Sequence, residues 1–245
     1  MSQIRKVAGE RPVVFTNSYQ DPARYTFHTG AFAHTLNNLA YRRSQYDIWN
    51  FEEELHGREV LYVPHWLTPE YKKNLVKYHL SSGDSLFARV IPDFQSLQKR
   101  CINLLAVNNQ AVAGSAVSID IALYNPYPYN IKIDHPLLPV RFQAAFFKSG
   151  RLVSKQNLLL PEDLSFPAPG DTIRFSVQFT VPALEPGEYM FGITSETGFL
   201  LDVISSDVTN VHVPGLTIPG LTIPGLKSGV TSTSVTSSRS GTAGL

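Results

Sequence analysis

Val117-Ser118-Ile119-Asp120-Ile121-Ala122-Leu123 and Ile173-Arg174-Phe175-Ser176-Val177-Gln178-Phe179-Thr180-Val181 share a period of two. Apolar residues alternate with polar or small ones, so each stretch shows one greasy and one wet side when extended, as a half-buried strand does. The same rhythm runs through the chain around them. It predicts strands at 86–91, 101–107, 117–124, 140–148, 152–160, 173–181, 189–194 and 200–204. Lys148-Ser149-Gly150-Arg151 is a hairpin turn signal, and Pro167-Ala168-Pro169-Gly170-Asp171 and Glu185-Pro186-Gly187-Glu188 carry loop chemistry. Many short strands without helices between them predict an immunoglobulin-like antiparallel β-sandwich over 84–213. Cys101 is the single cysteine, so the antibody-type disulfide is absent.

Towards the N-terminus the pattern changes. Pro12-Val13-Val14-Phe15-Thr16-Asn17 reads as a strand, and Asp21-Pro22 as a helix start with Asp21 capping and Gly30 ending it. A second strand is expected at 32–36. A charged, aromatic stretch follows over 41–55, then a third strand at 59–63. This alternation predicts a small layered α/β unit over 1–83, making the whole chain α+β. Thr68-Pro69-Glu70 opens a further predicted helix with Tyr71, Leu75, Tyr78 and His79 at helical spacing and Lys72, Lys73 and Lys77 elsewhere. That basic side reads either as a solvated face or as one for anionic headgroups. Beyond 213, three five-residue units centred on Pro214-Gly215, Pro219-Gly220 and Pro224-Gly225 precede a Ser/Thr-rich end. Residues 214–245 are expected to be a flexible tail.

Composition excludes several classes of function. With 43% apolar residues the 245-residue chain buries a core, and a net charge of +1 argues against nucleic-acid binding driven by bulk electrostatics. One cysteine excludes internal disulfides and thiolate-built zinc sites, and within Cys101-Ile102-Asn103-Leu104-Leu105 it reads as a buried, inert thiol. No signal-peptide core and no membrane-length apolar run is present. Either the chain works in the cytoplasm or it is a piece of something larger.

Motifs for nucleotide, nucleophilic or zinc chemistry are missing, and the seven histidines do not pair at metal-ligand spacing with acidic partners. No cofactor or metal is called for. Asp47 with Glu52, Glu53 and Glu54 is the densest acidic group, read as a solvated helical face because consecutive residues on a helix point apart. Two groups remain as binding candidates. Tyr41, Arg42, Arg43 and Tyr46 combine aromatic rings with guanidinium groups that suit phosphate or a sugar diphosphate. On the other reading one arginine pairs with Asp47 or Glu52 while its neighbour covers apolar surface. In Asn125-Pro126-Tyr127-Pro128-Tyr129-Asn130, stiff tyrosines either stack on a sugar or protein, or plug the interface between the two units.

The string Pro12-Val13-Val14-Phe15-Thr16-Asn17-Ser18-Tyr19-Gln20, then Pro22-x-x-Tyr25-x-Phe27-x-Thr29-Gly30, resembles the soluble region of certain membrane glycosyltransferases. These are the multi-spanning, polyprenyl-phosphate-sugar-dependent enzymes of the protein mannosyltransferase and aminoarabinose transferase superfamily, Bacteroidetes-type members above all. Asn37-Asn38, the run from Tyr41 to Trp49, and Glu53-x-Leu55-x-Gly57-Arg58-Glu59-Val60 continue the likeness, as does Ile91-Pro92-Asp93-Phe94-Gln95-Ser96. It covers about residues 11–98 well, the sandwich loosely and the tail not at all.

The resemblance implies an extracytoplasmic accessory domain, on the periplasmic or outer face of a membrane. Such a domain helps shape the acceptor side of an active site and partners a membrane-embedded transferase portion and a glycan acceptor. In that family the catalytic carboxylates lie in and beside membrane helices. This chain has none of those helices, so no catalytic residue transfers to it and the domain alone is expected not to catalyse. The reading that competes with it is a stand-alone glycan- or protein-binding β-sandwich module.

Overall fold

The computed structural model describes residues 1–38, 44–65, 67, 69–106, 112–198, 203–206 and 208–214. Strand outweighs helix in it by 41% to 14%, so the chain is mostly β. Five strands build a first sheet: β1 (Val13–Thr16), β2 (Ala33–Leu36), β3 (Val60–Val63), β4 (Val76–His79) and β5 (Ser85–Ile91). Their order across the sheet is β2-β1-β3-β5-β4. β1 runs parallel to both β2 and β3, and the remaining pairings are antiparallel.

Every residue of β1, β2 and β3 is buried, because both faces of these strands are covered. On one face Val13, Phe15, Ala33, Leu61 and Val63 meet Ala8 of α1 (Ser2–Ala8) and Tyr25 of α2 (Gln20–Thr29). On the other, Val14, Leu36, Val60 and Tyr62 meet Phe51 and Leu55 of α3 (Phe51–Leu55), with Phe94 and Leu138. Gly30 ends α2 at φ 67, its N–H bonded to the Thr26 carbonyl, a left-handed cap that glycine takes without strain. The helix starts one residue before the expected Asp21 cap. The Ser18 hydroxyl accepts the Asp21 N–H at 3.1 Å instead.

Two expectations fail here. The helix opening at Pro69 lasts one turn, α4 (Pro69–Lys72), and Val76–His79 is a strand paired with β5. Over four residues helical and strand periods are hard to separate, and Tyr78 settles the matter by packing with Leu86 and Val90 against the first core. Among the described residues Lys72 closes that turn and Lys77 lies on β4, so the predicted basic face is divided between two elements. β5, expected at the start of the sandwich, pairs in the first sheet, so the change of sheet falls after Ile91 and not at residue 84. Residues Met1–Gly215 form one compact unit. The expected tail, Pro214 apart, lies outside the described residues.

The sandwich is built as its period-two pattern predicts. One sheet joins β6 (Ile102–Ala106), β7 (Ala116–Tyr124) and β10 (Thr172–Thr180) in the order β10-β7-β6. In it Ile119 lies opposite Val177 and Ile121 opposite Phe175. The other joins β8 (Val140–Lys148), β9 (Arg151–Asn157) and β11 (Gly187–Thr197), with β12 (Val203–Ile204) and β13 (Thr209–Val213) both on the outer edge of β11. β13 was not expected; its buried Val211 and Val213 sit between polar neighbours and a proline.

Three strands face a four-strand sheet whose last edge is split in two, an immunoglobulin-like order. Phe179 crosses between the sheets to Phe191 and Phe146, with centroids 5.5 and 6.1 Å away. The Cys101 and Ile102 N–H groups both donate to the Ser205 carbonyl, at 3.1 and 2.9 Å, and so stitch the two sheets together. Ser149 and Gly150 take φ 51 and 74 between β8 and β9, the left-handed pair that the predicted hairpin turn requires.

Candidate functional site

The expected candidates separate in space. Tyr41, Arg42 and Arg43 lie outside the described residues. The chain on either side of them is anchored: the Asn38 N–H donates to Asn17 Oδ1 at 2.9 Å, and the Ser44 N–H to Asp47 Oδ2 at 2.5 Å. Asp47 also takes the Ser44 hydroxyl and the Asn37 amide, the latter at 2.9 and 3.0 Å. These bonds brace a 3-10 turn over Gln45–Asp47 with a capping box. The Ile48 and Trp49 N–H groups continue the bracing through the Gln45 carbonyl.

That braced turn holds apolar side chains in solvent. Ile48 is 83% exposed, Phe32 53% and Trp49 46%. Phe32, Trp49 and Tyr46 form a connected shelf, with Ile48 next to Trp49 in sequence. Trp49 lies edge-on to Tyr46 at 5.1 Å and 6.0 Å from Phe32. Phe32 meets buried His34 at 4.9 Å, and His34 stacks on Phe51 at 4.7 Å, in the core of the first sheet. The shelf is thus rooted in the core rather than lying loose on it. Burial, helped by the Arg58 charge, lowers the His34 pKa to about 4, so the ring is neutral near pH 7. Of the four residues grouped around Arg42, Tyr46 is the one in the described structure, half-buried at the inner edge of the shelf.

Beside it, the carboxyl ends of β1, β2 and β3 form a polar rim. Thr16, Asn17, Ser18 and Asn37 are buried there, and Asn17 takes φ 48. His65 Nδ1 sits 2.8 Å from Asp21 Oδ2, while its N–H donates to Thr16 Oγ1. The contact spans the carboxyl ends of β1 and β3, the end at which parallel sheets of this order commonly take ligands.

The tyrosine loop resolves in favour of the interface plug. Tyr127 is 2% exposed, and its hydroxyl lies 3.1 Å from both carboxylate oxygens of Glu52 on α3. It also accepts the N–H groups of Gln98 and Lys99 at 2.9 and 3.0 Å. Tyr129 stacks on His56 at 3.6 Å and on Tyr127 at 5.0 Å. The Tyr127 ring is therefore enclosed by the protein, and Tyr129, half-buried, lies against it and His56.

The solvated reading of the acidic group is overturned at Glu52, which is buried. Desolvation raises its pKa, against hydrogen bonds from Ser96, Gln98 and Tyr127 and the Lys99 charge. Glu53 and Glu54 are exposed, and Glu53 pairs with Lys99 at 3.1 Å. Cys101 is the inert thiol expected, its pKa pushed up to about 12 by burial.

Sequence reasoning missed Phe32, Ile48, Trp49 and Glu52 as site residues. Ile48-Trp49 inside a polar run was the available signal for the shelf. Glu52 carried none, because its partners are 44 to 75 positions away.

No protein-family model matches the chain, and no curated protein matches it either. Solved structures similar to it include the CARDB domain of the PF1109 protein from Pyrococcus furiosus, in complex with di-metal ions. That pair shares 10% identity and a TM-score of 0.27, over 46% of this chain and 91% of that one. Red sea bream transglutaminase gives 17% identity and 0.31, over 54% of this chain and 17% of that one. The PKD domain of an M14-like peptidase from a Thermoplasmatales archaeon gives 13% and 0.24, over 47% and 97%. Likenesses this distant carry no residue role. Strand order and core define the chain as mostly β, with an immunoglobulin-like sandwich. No helix among the described residues is long and apolar enough to cross a membrane.

Proposed function

We propose that the chain is a non-catalytic extracytoplasmic accessory domain of a polyprenyl-phosphate-sugar-dependent membrane glycosyltransferase. The aromatic shelf is the face it turns to the membrane-embedded portion. The observation that carries this reading is the exposure of Ile48 and Trp49 on a turn braced by Asp47, with exposed Phe32, just before β2, against Trp49. Exposed apolar clusters mark interaction surfaces, and a rigid one loses little conformational freedom on docking. Trp, Tyr and Arg together suit the edge of a bilayer, and Tyr41, Arg42 and Arg43 adjoin the shelf in sequence. The polar rim, with Asp21 and His65, offers hydroxyl-binding groups on the acceptor side. The likeness over residues 11–98 supports the same assignment.

The second reading is a stand-alone glycan- or protein-binding β-sandwich module; burial of Tyr127 takes one of its two candidate tyrosines off the surface.

The test is sugar transfer with the domain in its natural membrane context. The isolated chain should show no transfer. The Ile48→Asp/Trp49→Asp variant should lose transfer by about tenfold or more, the equivalent of ~1.4 kcal/mol of docking, while melting near the parent. Transfer by the isolated chain, or full activity of the variant, refutes the reading.

A further inference from the structure

The junction between the first sheet and the sandwich is closed around one carboxyl group. Glu52 Oε1 receives the Ser96 hydroxyl at 2.6 Å and the Gln98 N–H at 3.1 Å. The Tyr127 hydroxyl reaches both Glu52 oxygens at 3.1 Å. Three separate pieces of chain therefore meet on one side chain: α3, the 96–99 connection, and the loop between β7 and β8. No cation forms an ion pair with Glu52 among the described residues. Lys99, whose charge acts on Glu52, spends its ammonium on Glu53 at 3.1 Å and on the face of Tyr127 at 4.9 Å. The remaining titratable neighbours are Cys101, Tyr127 and Tyr129, each of which feels the Glu52 charge. None of them brings a positive charge to offset it.

We infer that Glu52 is a proton-operated latch, which holds the sheet and the sandwich together more tightly when its carboxyl group takes up a proton from solvent. The short contact with Ser96 is where that proton is held: on Oε1 it is donated to Ser96 Oγ, which reverses the hydrogen bond between the two. Oε1 still accepts from Gln98, and Oε2 still accepts from Tyr127. Loss of the proton leaves a buried carboxylate with hydrogen bonds but no counter-charge, a costly state.

The direction of the pH effect follows. Desolvation raises the Glu52 pKa above its ordinary value of 4.5. The stability it contributes is complete below that value and is lost as pH rises through the folded-state pKa. The latch stands whether or not the shelf meets a membrane.

The experiment is a carboxyl carbon NMR titration of the full chain labelled at Glu Cδ, with melting temperatures recorded over the same pH range. Glu52 should titrate above 4.5. The native melting temperature should fall with pH relative to Glu52→Gln, by about 3–5 °C for each unit of elevation. Tyr127→Phe should move the midpoint further up, since it deletes a donor that favours the ionised form. That variant also assigns the resonance if Glu52→Gln does not fold. A midpoint at or below 4.5, or parallel melting profiles for native and Glu52→Gln proteins, overturns the latch.

Discussion

At the scale of single residues, two tyrosines bear on stability in ways their exposure alone does not disclose. The Tyr127 hydroxyl joins Glu52 to the Gln98 and Lys99 amides, so Tyr127→Phe leaves buried polar groups short of a partner. A loss of about 1–3 kcal/mol is expected, read as a lower urea midpoint at an unchanged slope. Tyr189, at the start of β11, donates its hydroxyl to the Glu185 carbonyl at 2.8 Å. This is the corner by which immunoglobulin-like sandwiches fasten the turn into a central strand. Tyr189→Phe should cost about 0.5–1.5 kcal/mol in the same assay, and no change would deny the corner a structural role. The Pro186-Gly187-Glu188-Tyr189 run held this information in sequence. Glu52 held none, because burial of one glutamate among three depends on segments that arrive from elsewhere in the chain.

Among the elements, legibility followed the strength of the period. β7 and β10 alternate over nine residues each, and their boundaries and facing were readable before any coordinates. β4 has four residues, too few to separate a strand from a helix, and its pairing with β5 and the packing of Tyr78 decide. The 3-10 turn under the shelf was not legible either. Its order comes from a local Ser44–Asp47 capping box together with Asn37, ten positions from Asp47, which the local signature did not reveal.

Three substitutions test the elements. Phe191, pressed between Phe146 and Phe179, should cost about 3–5 kcal/mol when cut to alanine. Ile48→Ser, on the exposed shelf, should stay within about 0.5 kcal/mol of the parent. Equal losses at the two sites would mean that the shelf is part of the core. Gly150→Ala in the β8–β9 turn should cost about 1–2 kcal/mol, because alanine must hold a left-handed backbone there.

For the whole molecule, the central claim is that the shelf meets a multi-spanning membrane protein. A photo-reactive phenylalanine analogue at position 49 tests it in the source cells, with the cross-linked partner identified by mass spectrometry. The same analogue at Val153, exposed on β9, serves as the control. The account predicts a product from position 49, and not from 153, that contains a polytopic glycosyltransferase segment, within the same polypeptide or as a separate subunit. Cross-links confined to soluble proteins, or equal yields from the two positions, would contradict it.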